Sequence, residues 1–428
     1  MSPLLGERVR RWIGIFSAFF STQTVTQALG FATGILFIRA LPVQELGLYN
    51  LAFSVITFFN LLSDLGSTTS LLHFFHRAAK EGTDFRSYFA AVWSLRRGAF
   101  FAGVLVVAVG FPLAAVAKGF ARWDVAWTTA GVLLCVWFQI QFSLRVLDLR
   151  LHDRYGMSYR AEMAAAGLRL AIAAALVAAF LLKAWPGVFA TAAGTALGAF
   201  LARPRDAATA MPTPPAGGLG PHRRQILRYL LPTLPGALYF TVQGPLLVWL
   251  AATFGSVRTI AEVGAVGRLG MAVGIFSGLI GTVFLPRLAR LTDERVYLAR
   301  YLQFGALLTA VAAAMTAAAV LVPGLFLFLL GPRYSGLRSE LVLVVAGAGL
   351  SLLDGYLVNV NLARSWTRWQ GACLAVLIAG QAALMTVLPL TRTYNVLLFN
   401  VLSSGLAFVL QALVAVAGFR RPKWVYWA

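Results

Sequence analysis

The chain has 428 residues, 59% of them hydrophobic and only 12% charged, with a mean hydropathy of +0.78. Soluble globular domains carry roughly 25% charged residues, so this composition excludes a soluble fold and requires lipid as part of the solvent. A net charge of +21 would indicate a nucleic-acid partner in a soluble protein, and here the placement of the basic residues decides what it means.

Apolar stretches of roughly 20 residues, enough for a helix to cross about 30 Å of hydrocarbon, recur along the chain. They predict an all-α polytopic membrane protein of about twelve spans, at residues 13–38, 46–72, 98–117, 125–147, 161–182, 187–202, 226–253, 260–285, 302–330, 339–363, 370–390 and 395–418. The first follows Arg8, Arg10 and Arg11 and continues to Ile38 without a small-residue cleavage site, so it reads as a retained helix rather than a secretory signal. Gln23 and Gln27 lead into Gly30 and Gly34 on one side of it, a polar and small-residue face suited to close helix approach.

In the second span Asn50, Ser54, Thr57, Asn60 and Asp64 fall within roughly a 120° arc at the helical period. Polar side chains at lipid depth are costly, so this stripe faces either a water-filled cavity or hydrogen-bonding partners on neighbouring helices. Gln141, Arg145 and Asp148 share a face of the fourth span, where Arg145 and Asp148 are also spaced for a local ion pair. Arg169 lies several residues inside the fifth span.

Between the sixth and seventh spans, RPRDAATAMPTPPAGGLGPHRR has no helical periodicity. It predicts a flexible linker, residues 203–222, joining an N-terminal six-helix lobe, 1–202, to a C-terminal one, 223–428. Six helices in each lobe give both the same orientation, which allows a pseudo-two-fold axis along the membrane normal. QELGLYN and AEVGAVG repeat a Glu and a Gly at one interval, Glu45 with Glu262 and Gly47 with Gly264, an echo that fits duplication or chance.

Pro232, Pro235, Gly236, Gly244 and Pro245 predict a bent or broken seventh span. Irregular backbone at membrane depth survives only where protein or water satisfies it, so this helix is either a mover that carries Tyr239 and Gln243 to substrate or a static kink. Arg268 lies inside the eighth span; Ser351, Asp354, Asn361 and Ser365 stripe the tenth, and Asn400, Ser404 and Gln411 the twelfth. A centred Arg169 or Arg268 costs at least ~2.5 kcal/mol unless it snorkels or meets an anion. Asp64 and Asp354 are the carboxylates suited to proton or sodium coupling, with structural hydrogen bonding as the alternative. Cys135 and Cys373 sit in different spans, which indicates neither a disulfide framework nor a metal site.

With both termini in the cytoplasm, the outer segments hold only Arg39, Lys118, Arg122, Lys183, Arg258, Arg333, Arg338 and Arg392; apart from Arg169 and Arg268, every other basic residue lies inside. This alternation favours cytoplasmic termini and an even number of spans. It makes the basic excess an orientation signal and a contact for anionic lipid headgroups, and it excludes nucleic acid as the partner.

FIRALPVQELGLYNLAFSVITFFNLLSDLG at 37–66 resembles the first two helices of the bacterial polysaccharide flippases. LPRLARL at 285–291 is similar to the end of their eighth helix, and LLGPRYSG at 329–336 to the turn before their tenth. Val266 and Leu330 depart from the pattern, each standing where an aromatic residue is usual. The resemblance implies the fold of the multidrug, oligosaccharidyl-lipid and polysaccharide exporter (MOP) superfamily, MATE-like, with two six-helix lobes around a central cavity that opens alternately to each side.

It further implies a polyprenyl-diphosphate-linked oligosaccharide as cargo in a bacterial inner membrane, for cell-surface polysaccharide biosynthesis. Arg39, Arg145, Arg169 and Arg268 would then make the cavity cationic, because the guanidinium fork matches phosphate oxygens. Gln23, Gln27, Asn50, Asn60, Tyr239, Gln243 and Asn361 are the further cavity candidates. Expected partners are membrane lipids and glycan-assembly proteins around a monomer. No cofactor is expected beyond H+ or Na+ coupling, and no phosphate-cradling Gly-x-x-x-x-Gly-Lys-Ser/Thr motif or other catalytic motif is present. Rival readings are a cation-coupled small-molecule antiporter of the same fold, a membrane glycan-assembly enzyme, and a scaffold that transports nothing.

Overall fold

A computed structural model of the chain describes residues 24–68, 70, 71, 73–75, 85–203, 218–231, 234–274, 276, 277, 280, 284, 285, 288, 293–364, 366 and 368–420. Gln23, Ser365, most of the linker and most of the 285–291 run lie outside these residues. The described residues form helices and no strand, and they belong to two compact units, Met1–Trp249 and Leu250–Ala428.

In the first unit the helices are α1 (Thr24–Ala40), α2 (Val43–Asp64), α3 (Phe85–Ala117), α4 (Arg122–Leu151), α5 (Tyr155–Ala178), α6 (Ala184–Leu201), α7 (Gly220–Leu230) and α8 (Leu234–Gln243). Helix α9 (Leu246–Phe254) runs across the boundary. The second unit continues with α10 (Val257–Gly274), α11 (Glu294–Leu321), α12 (Pro323–Leu330), α13 (Arg338–Ala363), α14 (Gln370–Val387) and α15 (Thr393–Phe419).

Among the described residues, nine helices are long and apolar enough to cross a membrane, or ten if the bent pair α8–α9 is one span. The count read from sequence is higher because it includes α1, which is short where described, and α10, which carries Arg258, Glu262 and Arg268. The side chains Phe101, Leu105, Val106, Val109 and Leu113 leave a wide apolar face of α3 exposed, as lipid contact requires. Trp123 and Trp127 at the start of α4 form an aromatic cluster with Trp185 and Phe189 of α6, the kind of belt that marks a membrane interface.

Helix ends follow local chemistry. Asp293 caps α11 by accepting from the Arg295 and Val296 amides at 2.8 and 3.2 Å. Helix α2 stops at Asp64 because Leu65 and Gly66 both take left-handed backbone, φ 36° and 83°, after which a short helical stretch begins. The second predicted span is therefore broken near its end. The seventh is broken as its Pro and Gly residues predict: α8 and α9 meet at 55° across Gly244 and Pro245.

Each unit is built around three mutually packed helices, α2, α4 and α6 in the first and α10, α13 and α15 in the second. In the first, Glu45 on α2 accepts from the Ala184 amide, at the start of α6, at 2.7 Å. In the second, Glu262 on α10 accepts from the Thr393 hydroxyl, at the start of α15, at 2.5 Å. A carboxylate at the positive end of a helix is favourable in both places. The echoing glutamates of the sequence thus do the same job twice.

Candidate functional site

The first unit contains a polar cluster that the sequence reading placed only in part. Arg96, 3% exposed, is ion-paired with Asp64. Its remaining donors reach Ser67 Oγ at 2.8 Å, Ser143 Oγ at 2.9 Å and Thr68 Oγ1 at 2.9 Å. Asp64 Oδ1 also accepts from the Thr68 amide and hydroxyl, at 3.1 and 2.6 Å. One guanidinium therefore joins the break after α2 to α3 and α4. A third span of 98–117 leaves Arg96 and Arg97 in the preceding loop, but α3 begins at Phe85, so both lie on the helix. The apolar run Phe89–Trp93 ahead of them is the signal that could have extended the span.

Arg169 is placed differently. It lies past the middle of α5, half-buried, and its Nε is buried with no hydrogen-bond partner among the described residues. Small residues make its space. A methyl at Gly30 of α1 would sit 3.2 Å from Nη2, and one at Gly194 of α6 would meet the Ala165 carbonyl oxygen at 2.5 Å and Arg169 Cβ at 3.1 Å. The glycines let α1 and α6 approach α5, and a charged side chain occupies the junction. An enclosed Nε–H with no acceptor among the described residues is an unspent donor on a cation, an arrangement that suits an anion.

The other candidates of the first unit divide. Arg145 gives its donors to the Ala199 carbonyl at 2.5 Å and Gln141 Oε1 at 3.1 Å, and so ties α4 to α6. It does not pair with Asp148, which instead lies 3.3 Å from His152; the local ion pair allowed by spacing is absent. Asn50 is buried, Asn60, Tyr239 and Gln243 are half-buried, and Gln27 and Arg39 are exposed. Along the α2 stripe, the Ser54 and Thr57 hydroxyls donate to the backbone one turn back, and Ser54 accepts from Trp249 Nε1 at 3.1 Å.

In the second unit the stripes of α13 and α15 face each other. Ser351 meets Ser404 at 3.0 Å, and Asn361 donates to the Gln411 carbonyl and to its side-chain oxygen at 3.0 and 2.9 Å. Gln411 and Gln370 of α14 exchange hydrogen bonds at 3.0 and 3.1 Å. Asn361 is wholly buried in this network, so its amide binds protein. Asp354 has a buried Oδ1 with no hydrogen-bond partner among the described residues. Arg268 is half-buried on α10, and Arg364, after α13, stacks 3.6 Å above the Tyr297 ring. In the turn before α13, burial pushes the Tyr334 phenol above its ordinary range. No group of His, Cys, Asp and Glu fit for a metal occurs among the described residues.

Comparison with solved structures gives a lipid II flippase, MurJ, in an inward closed conformation: TM-score 0.73 at 12% identity, covering 94% of this chain and 89% of that one. An inward-facing MATE-family multidrug resistance transporter follows at TM-score 0.59 and 16% identity, over 94% of this chain and 98% of that chain. A MOP-superfamily transporter from Pyrococcus furiosus matches at 0.55 and 15% identity, over 95% of each. No sequence-family model and no curated protein sequence matches the chain. The chain has the fold of the MOP-superfamily transporters.

Proposed function

We propose that this multi-pass membrane protein is a flippase that moves a polyprenyl-diphosphate-linked oligosaccharide across a bacterial cytoplasmic membrane by alternating access. The observation that carries the reading is Arg169: a half-buried arginine whose enclosed Nε has no hydrogen-bond partner among the described residues, set among close-packed helices, which favours an anionic cargo. The fold shared with a lipid II flippase supports it. A diphosphate headgroup cannot cross hydrocarbon unaided, and an inside-negative potential favours its outward movement by ~2.3 kcal/mol per charge per 100 mV. Nucleotide hydrolysis is then unnecessary. The basic residues orient the chain with both termini and the linker in the cytoplasm.

Deletion of the gene, with polyprenyl-diphosphate-linked oligosaccharide and surface glycan quantified together, tests the reading. The expected result is accumulation of the lipid-linked intermediate and loss of surface glycan, both restored by the intact gene. Unchanged levels of both, in a host with no second carrier, reject it.

A second reading, a cation-coupled small-molecule antiporter, is favoured by Asp354, whose buried Oδ1 has no hydrogen-bond partner among the described residues and suits a proton or sodium ion. It predicts drug or metabolite efflux that collapses with the ion gradient and in Asp354→Asn. A flippase acting on the potential alone predicts neither.

A further inference from the structure

Helix α7 is strongly amphipathic. Ile226 and Leu230 are buried against α3 and the stretch after Gly66. Arg223 Nε donates to Ser94, and Tyr88 donates to Gln225, at 2.7 and 2.8 Å, which fastens α7 to α3. Beside the buried face come Leu227 and Leu231, 53% and 66% exposed, and beyond them the exposed Arg224 and Arg228. An apolar flank next to a cationic face is the pattern of a helix lying in a membrane interface.

Helix α3 supplies the depth. It ends at Ala117, and Lys118 and the exposed Trp123 follow as interfacial anchors. At 1.5 Å per residue, a hydrocarbon core of about 30 Å consumes about 20 residues. Counting back from Ala117 brings the opposite boundary to the exposed Arg97. Of the residues that hold α7, Ser94 lies about 4.5 Å beyond it, at the level of the headgroups, and Tyr88 about 13.5 Å beyond it, on their aqueous side.

The same helix grips the break in the second span. Tyr229 stacks on His73 at 4.7 Å, and Leu230 lies 3.3 Å from where a methyl on Gly66 would be. We propose that α7 docks on anionic phospholipid headgroups, with Arg224 and Arg228 on the phosphates and Leu227 and Leu231 among the upper acyl carbons, and that this seat steadies the break at Leu65 and Gly66. The inference is independent of the cargo.

Cys135 and Cys373, the only cysteines, are buried, so Leu231→Cys gives one site for an environment-sensitive fluorophore on the full chain in neutral detergent. Phosphatidylglycerol titrated into the micelles is expected to move the emission to the blue at a much lower mole fraction than phosphatidylcholine. Each arginine near an anionic surface contributes about 1 kcal/mol. Arg224→Gln with Arg228→Gln should therefore raise the half-saturating mole fraction roughly 30-fold. Hydrogen exchange of the amides around His73 should slow with phosphatidylglycerol, and not in that double variant.

Equal responses to the two lipids, or a double variant that titrates like its parent, overturns the docking. A lipid response with unchanged exchange at His73 overturns the clamp. Arg86→Gln with Arg97→Gln removes two exposed cations from α3 and is expected to leave the half-saturation in place; an equal loss there means that diffuse charge, not α7, attracts the lipid.

Discussion

The Asp64–Arg96 pair is asymmetric, because Arg96 is 3% exposed and Asp64 36%. Removing one member of a buried pair leaves an uncompensated charge at a cost of about 3–5 kcal/mol. Asp64→Ala strands the enclosed guanidinium and should approach that cost, whereas Arg96→Ala leaves a carboxylate that water can reach and should cost less. Asp64→Ala with Arg96→Met should recover most of the loss. Thermal unfolding in detergent measures all three, and equal losses for the two single variants would contradict the asymmetry. Arg169 has the opposite signature. With no hydrogen-bond partner of its Nε among the described residues to strand, Arg169→Gln should leave the unfolding midpoint unchanged or raise it while lipid-linked oligosaccharide accumulates. Arg169→Lys keeps the charge without the planar fork and should transport poorly. A large fall in stability in either variant would make Arg169 a packing residue.

At the scale of elements, the polar stripes explain what was legible in the sequence. Periodicity placed Ser351, Asn361, Ser404 and Gln411 on single faces of their helices, and the structure joins those faces. It could not tell a face that meets water from one that meets another helix, because both demand polar groups at the same spacing. For the same reason Asp64 was legible as a costly intramembrane acid while its partner was not: Arg96 stands beside Arg97, and two adjacent cations read as the end of a span. Hydrogen bonds between membrane helices average about 0.6 kcal/mol. Gln411→Ala removes three side-chain bonds, two with Gln370 and one with Asn361, and should cost about 2 kcal/mol, against about 0.6 kcal/mol for Ser404→Ala. Equal midpoints for the two variants would show that the amide network contributes no more than one hydroxyl pair.

At the scale of the molecule, the alternation of basic residues makes a prediction of its own. Protease added to sealed right-side-out vesicles should leave the 203–222 linker intact, and inverted vesicles should expose it to cleavage; the reverse pattern would invert the orientation. The helices beyond that linker bear on how the first unit is made. Leu71, Phe74, Phe89 and Val92 belong to a cluster that includes Ile226 and Leu230 of α7, and the unit extends to Trp249. At roughly 5–20 residues per second, the ribosome takes about 2–10 s to pass from the end of α6 to Trp249. For that interval the helices already made stand with an apolar face uncovered, so completion of the first unit is timed by synthesis of the chain beyond the linker.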